Sequence, residues 1–225
     1  MTWQSILEFA RGPFFYAALL IFVGGMVYRL VNVIGLGWSK DRIPTKGSKA
    51  AGVVKSFFKA ILIWPFIPWV KNTFKRNPLI YIGGGLFHLG LFVVIFLGTP
   101  HMLVWKSLLK FGWPTLPLPI VDWLAVAGIV GMLILLINRL IHPVLKLISG
   151  PAEYLAWLMV FIPMVTGYMM THHLWFQYEV LFSLHMLAVD MLLIWIPLSR
   201  ISHFMFYFFA RVIHGQEFGK RGVAL

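Results

Sequence analysis

Cysteine is absent from this chain of 225 residues. No disulfide can form, no thiolate can hold an iron–sulfur cluster, and no C-x-x-C-H motif exists for covalent haem attachment. Any redox centre held by the chain itself therefore rests on histidine or methionine. Charge is scarce too: 12% of residues are charged, half of the roughly 25% usual in a soluble domain. Hydrophobic residues make up 60% and the mean hydropathy is +0.85, which places the chain in the membrane class. Acid is scarcest of all, with seven Asp and Glu against nineteen Lys and Arg.

What is present is organised around five apolar runs, at residues 14–36, 79–98, 120–137, 154–170 and 180–197. About 20 apolar residues cross the hydrocarbon core as a helix, and the shorter runs reach that length if their ends enter the interface. The runs are continuous rather than alternating, which predicts helices and not a barrel. The expected fold is all-α: one integral membrane domain over residues 1–225 with five transmembrane helices, the fifth extending into the cytoplasm. The first run begins late and no small-residue cleavage site follows it, so no cleavable signal is expected. Internal repeats and low-complexity tracts are lacking.

The basic residues are unevenly placed. Residues 38–77 carry nine Lys and Arg against one acid, Asp41. The loop 99–119 has only Lys106 and Lys110, and residues 171–179 have none. Arg139, Lys146, Arg200, Arg211, Lys220 and Arg221 follow the third and fifth runs. The positive-inside rule then puts the N-terminus outside and the C-terminus in the cytoplasm. Topology and anionic headgroups account for the basicity, so nucleic acid is not an expected partner.

Between the first two runs, residues 60–70 are apolar but too short to cross and contain Pro65 and Pro68. Trp64, Trp69 and the flanking lysines suit an interfacial segment on the cytoplasmic leaflet; a re-entrant loop or plain linker is the alternative. Asn77 can cap the second helix, with Pro78 in its first turn. Gly98-Thr99-Pro100 can end it and begin a short external helix through Leu109.

Of eight histidines, His142, His172, His173 and His214 read as interfacial. His88 lies ten residues past Pro78, about 15 Å along its helix. An ionisable group at that depth marks function unless it merely bonds a neighbouring carbonyl. His185 and His203 are 18 residues apart, which on one continuous helix is five turns and about 27 Å along a single face. Imidazoles so placed can each serve as an axial ligand in a helical bundle. Asp190 is the one acid inside the fifth run; neutralisation, a hydrogen bond to another helix or a proton path would each account for it. Arg200, beside His203, can snorkel or meet a propionate, and Arg29 has the same two readings.

The stretches "LFHLGLFVVIFLGTPH" (residues 86–101) and "LHMLAVDMLLIWIPLSRISH" (residues 184–203) resemble the cytochrome b (gamma) subunit of respiratory nitrate reductase. They are also similar to the membrane cytochromes b of sulfate-reducer and heterodisulfide-reductase-type complexes. The F-H-x-G of the second helix and the P-x-S-R-x-x-H of residues 197–203 carry the likeness. It implies five spans, an external N-terminus and two haems b with paired histidine ligands. On this likeness His88 and His203 match the ligands of the cytoplasmic-side haem, and His185 matches one ligand of the external-side haem. The family's fourth histidine falls where this chain has Gly98 and Thr99. His101 is the nearest substitute, with His172 or His173 in reserve. On an unbroken helix, however, His101 is turned by about 220° from His88 and raised by only about 20 Å. The family's basic residue at the quinone site corresponds to Lys106 or Lys110.

The function implied is that of a haem b subunit of a respiratory oxidoreductase in a prokaryotic cytoplasmic membrane. It would exchange electrons between quinone or menaquinone and partner subunits, either a cytoplasmic iron–sulfur protein or a periplasmic multihaem cytochrome c. A haem-free membrane anchor and a proton or ion transporter are the other classes open to the sequence. The lack of repeats and paired broken helices weighs against the transporter.

Overall fold

The computed structural model describes residues 2–37, 44–63 and 73–223. Among these residues the chain is mostly helical with no strand, and five helices are long and apolar enough to cross a membrane: Trp3–Gly35, Pro78–Leu97, Leu118–Ile141, Pro151–Thr171 and Tyr178–Leu198. It is an all-α, multi-pass membrane protein. Of the expected interfacial segment 60–70, residues 64–70 lie outside the described residues.

The chain divides into two compact units, Met1–Leu19 with Asn77–Leu193, and Leu20–Arg76 with Ile194–Leu225. In the first unit, α1 (Trp3–Phe9) opens on Thr2, whose side chain accepts the Ser5 N–H. A wide, π-type turn at Ala10–Phe14 follows, kinked at Gly12 beside Pro13, so the first span is longer than its apolar run and bent. It continues as α2 (Phe15–Gly35).

Later in this unit, α5 (Pro78–Phe92) starts as its sequence predicts. Asn77 Oδ1 accepts the Ile80 N–H at 3.0 Å and Pro78 occupies the first turn. It packs on α7 (Leu118–Ile141) with almost no side chain between the backbones. A Cβ at Gly90 would strike the Leu124 carbonyl and come within 2.8 Å of Gly128 Cα, and one at Gly83 would lie 3.0 Å from the Gly131 carbonyl. Small residues at such crossings are how membrane helices gain contact when lipid removes the hydrophobic drive to associate. The short α8 (Pro143–Ile148) leads to α9 (Pro151–Thr171), where Glu153 accepts the Gly150 N–H at 2.8 Å. Trp157 Nε1 donates to the Met132 carbonyl at 2.8 Å, tying α9 to α7. The last span is α10 (Tyr178–Leu198), and Ser183 Oγ on it reaches the Trp3 carbonyl at 3.1 Å.

The second unit pairs α3 (Lys49–Phe58) with α11 (His203–Lys220). Gly52 meets the Gly215 carbonyl and Gly219, so here too the backbones approach without side chains. The four-residue α4 (Thr73–Arg76) also belongs to this unit.

The fifth apolar run does not continue unbroken to His203. Pro197 lies in the last turn of α10, Ser199 is extended at φ −125° and ψ 179°, and a short 3₁₀ turn (Arg200–Ser202) precedes α11. Pro197 removes one helical N–H, and Ser199 Oγ accepts the Ile201 N–H at 3.2 Å, capping a new start. Arg29 secures the break, donating to the Ser199 carbonyl at 2.8 Å and to Ser202 Oγ. The single helical face joining His185 to His203 is therefore corrected: the two belong to different helices.

Candidate functional site

The site begins where α5 ends. After Phe92, Val93–Leu97 continue it as a wide π-type turn, and Gly98 then turns the chain out of the helix at ψ 129°. A helix end leaves its last four carbonyls without following N–H groups, and in a membrane each needs another donor. All four find one. The Val94 carbonyl takes the His101 side chain, and Ile95 accepts Trp105 Nε1 at 3.0 Å. Phe96 accepts Trp113 Nε1 at 2.5 Å, and Leu97 accepts the Leu116 N–H at 2.9 Å. These bonds fold α6 (Thr99–Leu109) and the loop after it back over the end of α5. The expected short helix is thus present, and it frees His101 from the direction of α5.

Redirected in this way, His101 faces His185 on α10. The ring centroids are 6.1 Å apart with planes at 68°. His185 is buried, and its Nδ1–H donates to the Pro163 carbonyl at 3.0 Å, with Thr166 Oγ1 3.3 Å from the same nitrogen. This bond fixes the ring and commits Nε2 to whatever lies beyond it. Gly167 makes room: a Cβ there would sit 3.0 Å from His185 Cε1 and 3.2 Å from Nδ1. Burial holds the His101 pKa below the ordinary imidazole value, against the opposing pull of its Val94 bond. Two rings, each tethered to a backbone carbonyl, are left facing one another. Among the described residues no three His, Asp or Glu side chains converge as a metal-binding group.

No protein-family model matches this chain, and no solved structure matches it. A protein of Nitratidesulfovibrio vulgaris (strain Hildenborough) is 27% identical over 218 residues, which cover 96% of this chain and 95% of that protein. The similarity runs nearly end to end and so marks off no part of the chain as a separate module.

The remaining expected residues fall as follows. His88, half-buried on α5, bonds the Gly84 carbonyl of its own helix through Nδ1 at 2.7 Å. His203, in the second unit, is exposed at the start of α11 and bonds the Arg200 carbonyl through Nδ1 at 3.0 Å. Arg200 is exposed. Lys106 lines an open depression of about 380 Å³ with Met102, Gly112, Trp113 and Pro114. Lys110 turns away at the end of α6, with φ +64° and Nζ on the Ser107 carbonyl at 2.8 Å. His172 pairs with Asp122, and His173 packs on Tyr178. Asp190 is fully buried, and neither carboxylate oxygen has a hydrogen-bond partner among the described residues. Among the described residues it makes no hydrogen bond to another helix. The sequence reading did not single out Pro163, Gly167, Trp105, Trp113 or Asp122.

Proposed function

We propose that this chain is a haem b-bearing membrane subunit of a respiratory oxidoreductase, exchanging electrons with the quinone pool. The observation that carries the proposal is the His101–His185 pair. The two ring centroids stand 6.1 Å apart, and these imidazoles, brought together from α6 and α10, are the residues that would hold a haem iron. Among the described residues no third His, Asp or Glu joins these two imidazoles as a metal-binding group, and a pair of imidazoles suits a porphyrin iron rather than a zinc site. When bound, the haem supplies one-electron transfer. The chain's own residues would hold it: the Pro163 carbonyl and Thr166 orient His185, the Val94 carbonyl orients His101, and Gly167 leaves space for the His185 ring.

The sequence resemblance also implies a second haem b; of the residues that carry this likeness, His88 on α5 bonds the Gly84 carbonyl through Nδ1 and His203 at the start of α11 bonds the Arg200 carbonyl. The quinone would bind beside Lys106, which lines the depression formed by α6 and its following loop. The charge pattern supports an external N-terminus and a cytoplasmic C-terminus in a prokaryotic cytoplasmic membrane. With no iron–sulfur motif of its own, the chain passes electrons to or from an iron–sulfur or multihaem cytochrome partner.

The test is optical. The purified protein should give the reduced-minus-oxidised spectrum of low-spin haem b, and added quinol should reduce it. A colourless, correctly inserted protein would overturn the proposal.

A further inference from the structure

Helix α11 begins within the apolar length of α2 rather than beyond it. Arg29 on α2 holds the Ser199 carbonyl, and its guanidinium carbon lies 5.8 Å from the centre of the Phe206 ring. Phe22, seven residues earlier (29 − 22 = 7), stacks on Phe204 with ring centroids 6.3 Å apart; seven residues are about 10 Å of helix. Past Arg29, α2 runs on for six residues to Gly35 (35 − 29 = 6), about 9 Å, and Val31 and Ile34 in that stretch are exposed. The first turns of α11 are therefore level with apolar helix on both sides of Arg29. Their composition agrees: residues 204–209 read Phe-Met-Phe-Tyr-Phe-Phe.

α3 meets this part of α11 with its own aromatic end. The Phe57 and Phe208 ring centroids are 5.9 Å apart, and Tyr207 Oη donates to the Ala60 carbonyl at 3.2 Å. Gly52 and Ser56 face α11, where a Gly215 Cβ would stand 2.8 Å from the Ser56 Cβ. Val54 and Phe58 are left on the far side, each 55% exposed, and on α11 Phe208 is 45% and Ile213 40% exposed. The other end of the hairpin is polar, with Lys49 exposed and Glu217 paired with Arg221 at 3.6 Å. Large apolar side chains in the open at one end only suit a hairpin set into the interface of a bilayer, not one standing wholly in water.

Charge selects the lipid. Among the described residues of this unit eleven are Lys or Arg and one, Glu217, is an acid. Lys55 is exposed and lies next to Val54 and three residues before Phe58. An ammonium on a four-carbon stem beside lipid-facing side chains reaches the phosphate layer, and each such cation adds attraction to an anionic surface. We propose that the aromatic end of the α3–α11 hairpin binds anionic phospholipid, with Val54, Phe58 and Ile213 among the acyl chains and Lys55 on the phosphates. Neither haem nor quinone is involved.

The experiment uses the full chain in nanodiscs of phosphatidylcholine and phosphatidylglycerol, with one lipid or the other brominated on its acyl chains. The chain has no cysteine, so Val54→Cys or Ile213→Cys accepts a single bimane label, and Lys49→Cys gives the comparison at the polar end. Brominated lipid should quench the label at 54 and at 213 and leave the one at 49 bright. In an equal mixture, brominated phosphatidylglycerol should quench the label at 54 more than brominated phosphatidylcholine does. Lys55→Gln should lower that preference about fivefold, the worth of one cation at an anionic surface, and Lys55→Glu should lower it further. Labels at 54 and 213 that neither lipid quenches would overturn the proposal and leave the hairpin in water, open to a protein partner. Equal quenching by both lipids, or a preference untouched by Lys55→Glu, would overturn it as well. Should Val54→Cys fail to fold, Ile213→Cys gives both readings.

Discussion

Replacing Gly167 by alanine puts a methyl group where the His185 ring now lies. The new carbon would stand 3.0 Å from Cε1 and 3.2 Å from Nδ1, against about 3.5–4.0 Å for a relaxed contact. The ring must therefore move by about 0.5 Å or more. Its Nδ1 bond to the Pro163 carbonyl, at 3.0 Å, is near the middle of the usual range and lengthens past it. A ring displaced this far would be less able to hold the proposed haem together with His101. Overpacking of this kind costs about 1–3 kcal/mol, which corresponds to haem retention weaker by roughly 5- to 150-fold. Haem per chain and the low-spin spectrum should fall in Gly167→Ala and disappear for this site in Gly167→Val. Gly85→Ala, on α5 where an added Cβ meets nothing within 4 Å, should leave both unchanged. Wild-type haem content in Gly167→Val would refute the packing argument.

Trp105→Phe removes the donor to the Ile95 carbonyl and should lower stability by about 1–3 kcal/mol, read as a reduced thermal midpoint in detergent. Gly90→Val drives a side chain into Leu124 and Gly128 of α7; most of the folded, monodisperse protein should be lost on size-exclusion chromatography, whereas the same change at Gly84, with open space around it, should be tolerated. Asp190→Ala deletes two buried oxygens that bond nothing among the described residues, so thermal stability should be unchanged or higher. A clear loss would show that the carboxyl has a partner.

The sequence was most informative where local chemistry decides the outcome. Continuous apolar runs announced the five spans, Asn77-Pro78 announced the start of α5, and Gly98-Thr99-Pro100 announced its end. It was least informative where backbone groups are satisfied at a distance. Ideal-helix geometry turned His101 away from the fifth helix, because nothing local shows that two indoles and a loop N–H receive the carbonyls at the break and fold α6 back. Pro197 and Ser199 were visible signals of the α10–α11 break, but they were overridden by the apolar run and by the 18-residue spacing of His185 and His203. Asp122 and His172 are 50 residues apart (172 − 122 = 50) on helices whose pairing no local pattern encodes. Gly167 carried no signal until the ring that needs its missing side chain was in place.

Haem per chain in His101→Ala, set against wild type, tests the central claim most directly, because only facing imidazoles make His101 indispensable. The variant should insert and lose one haem relative to wild type. A His101→Ala protein with the full wild-type haem content would contradict the assignment of His101 and His185 as an axial pair.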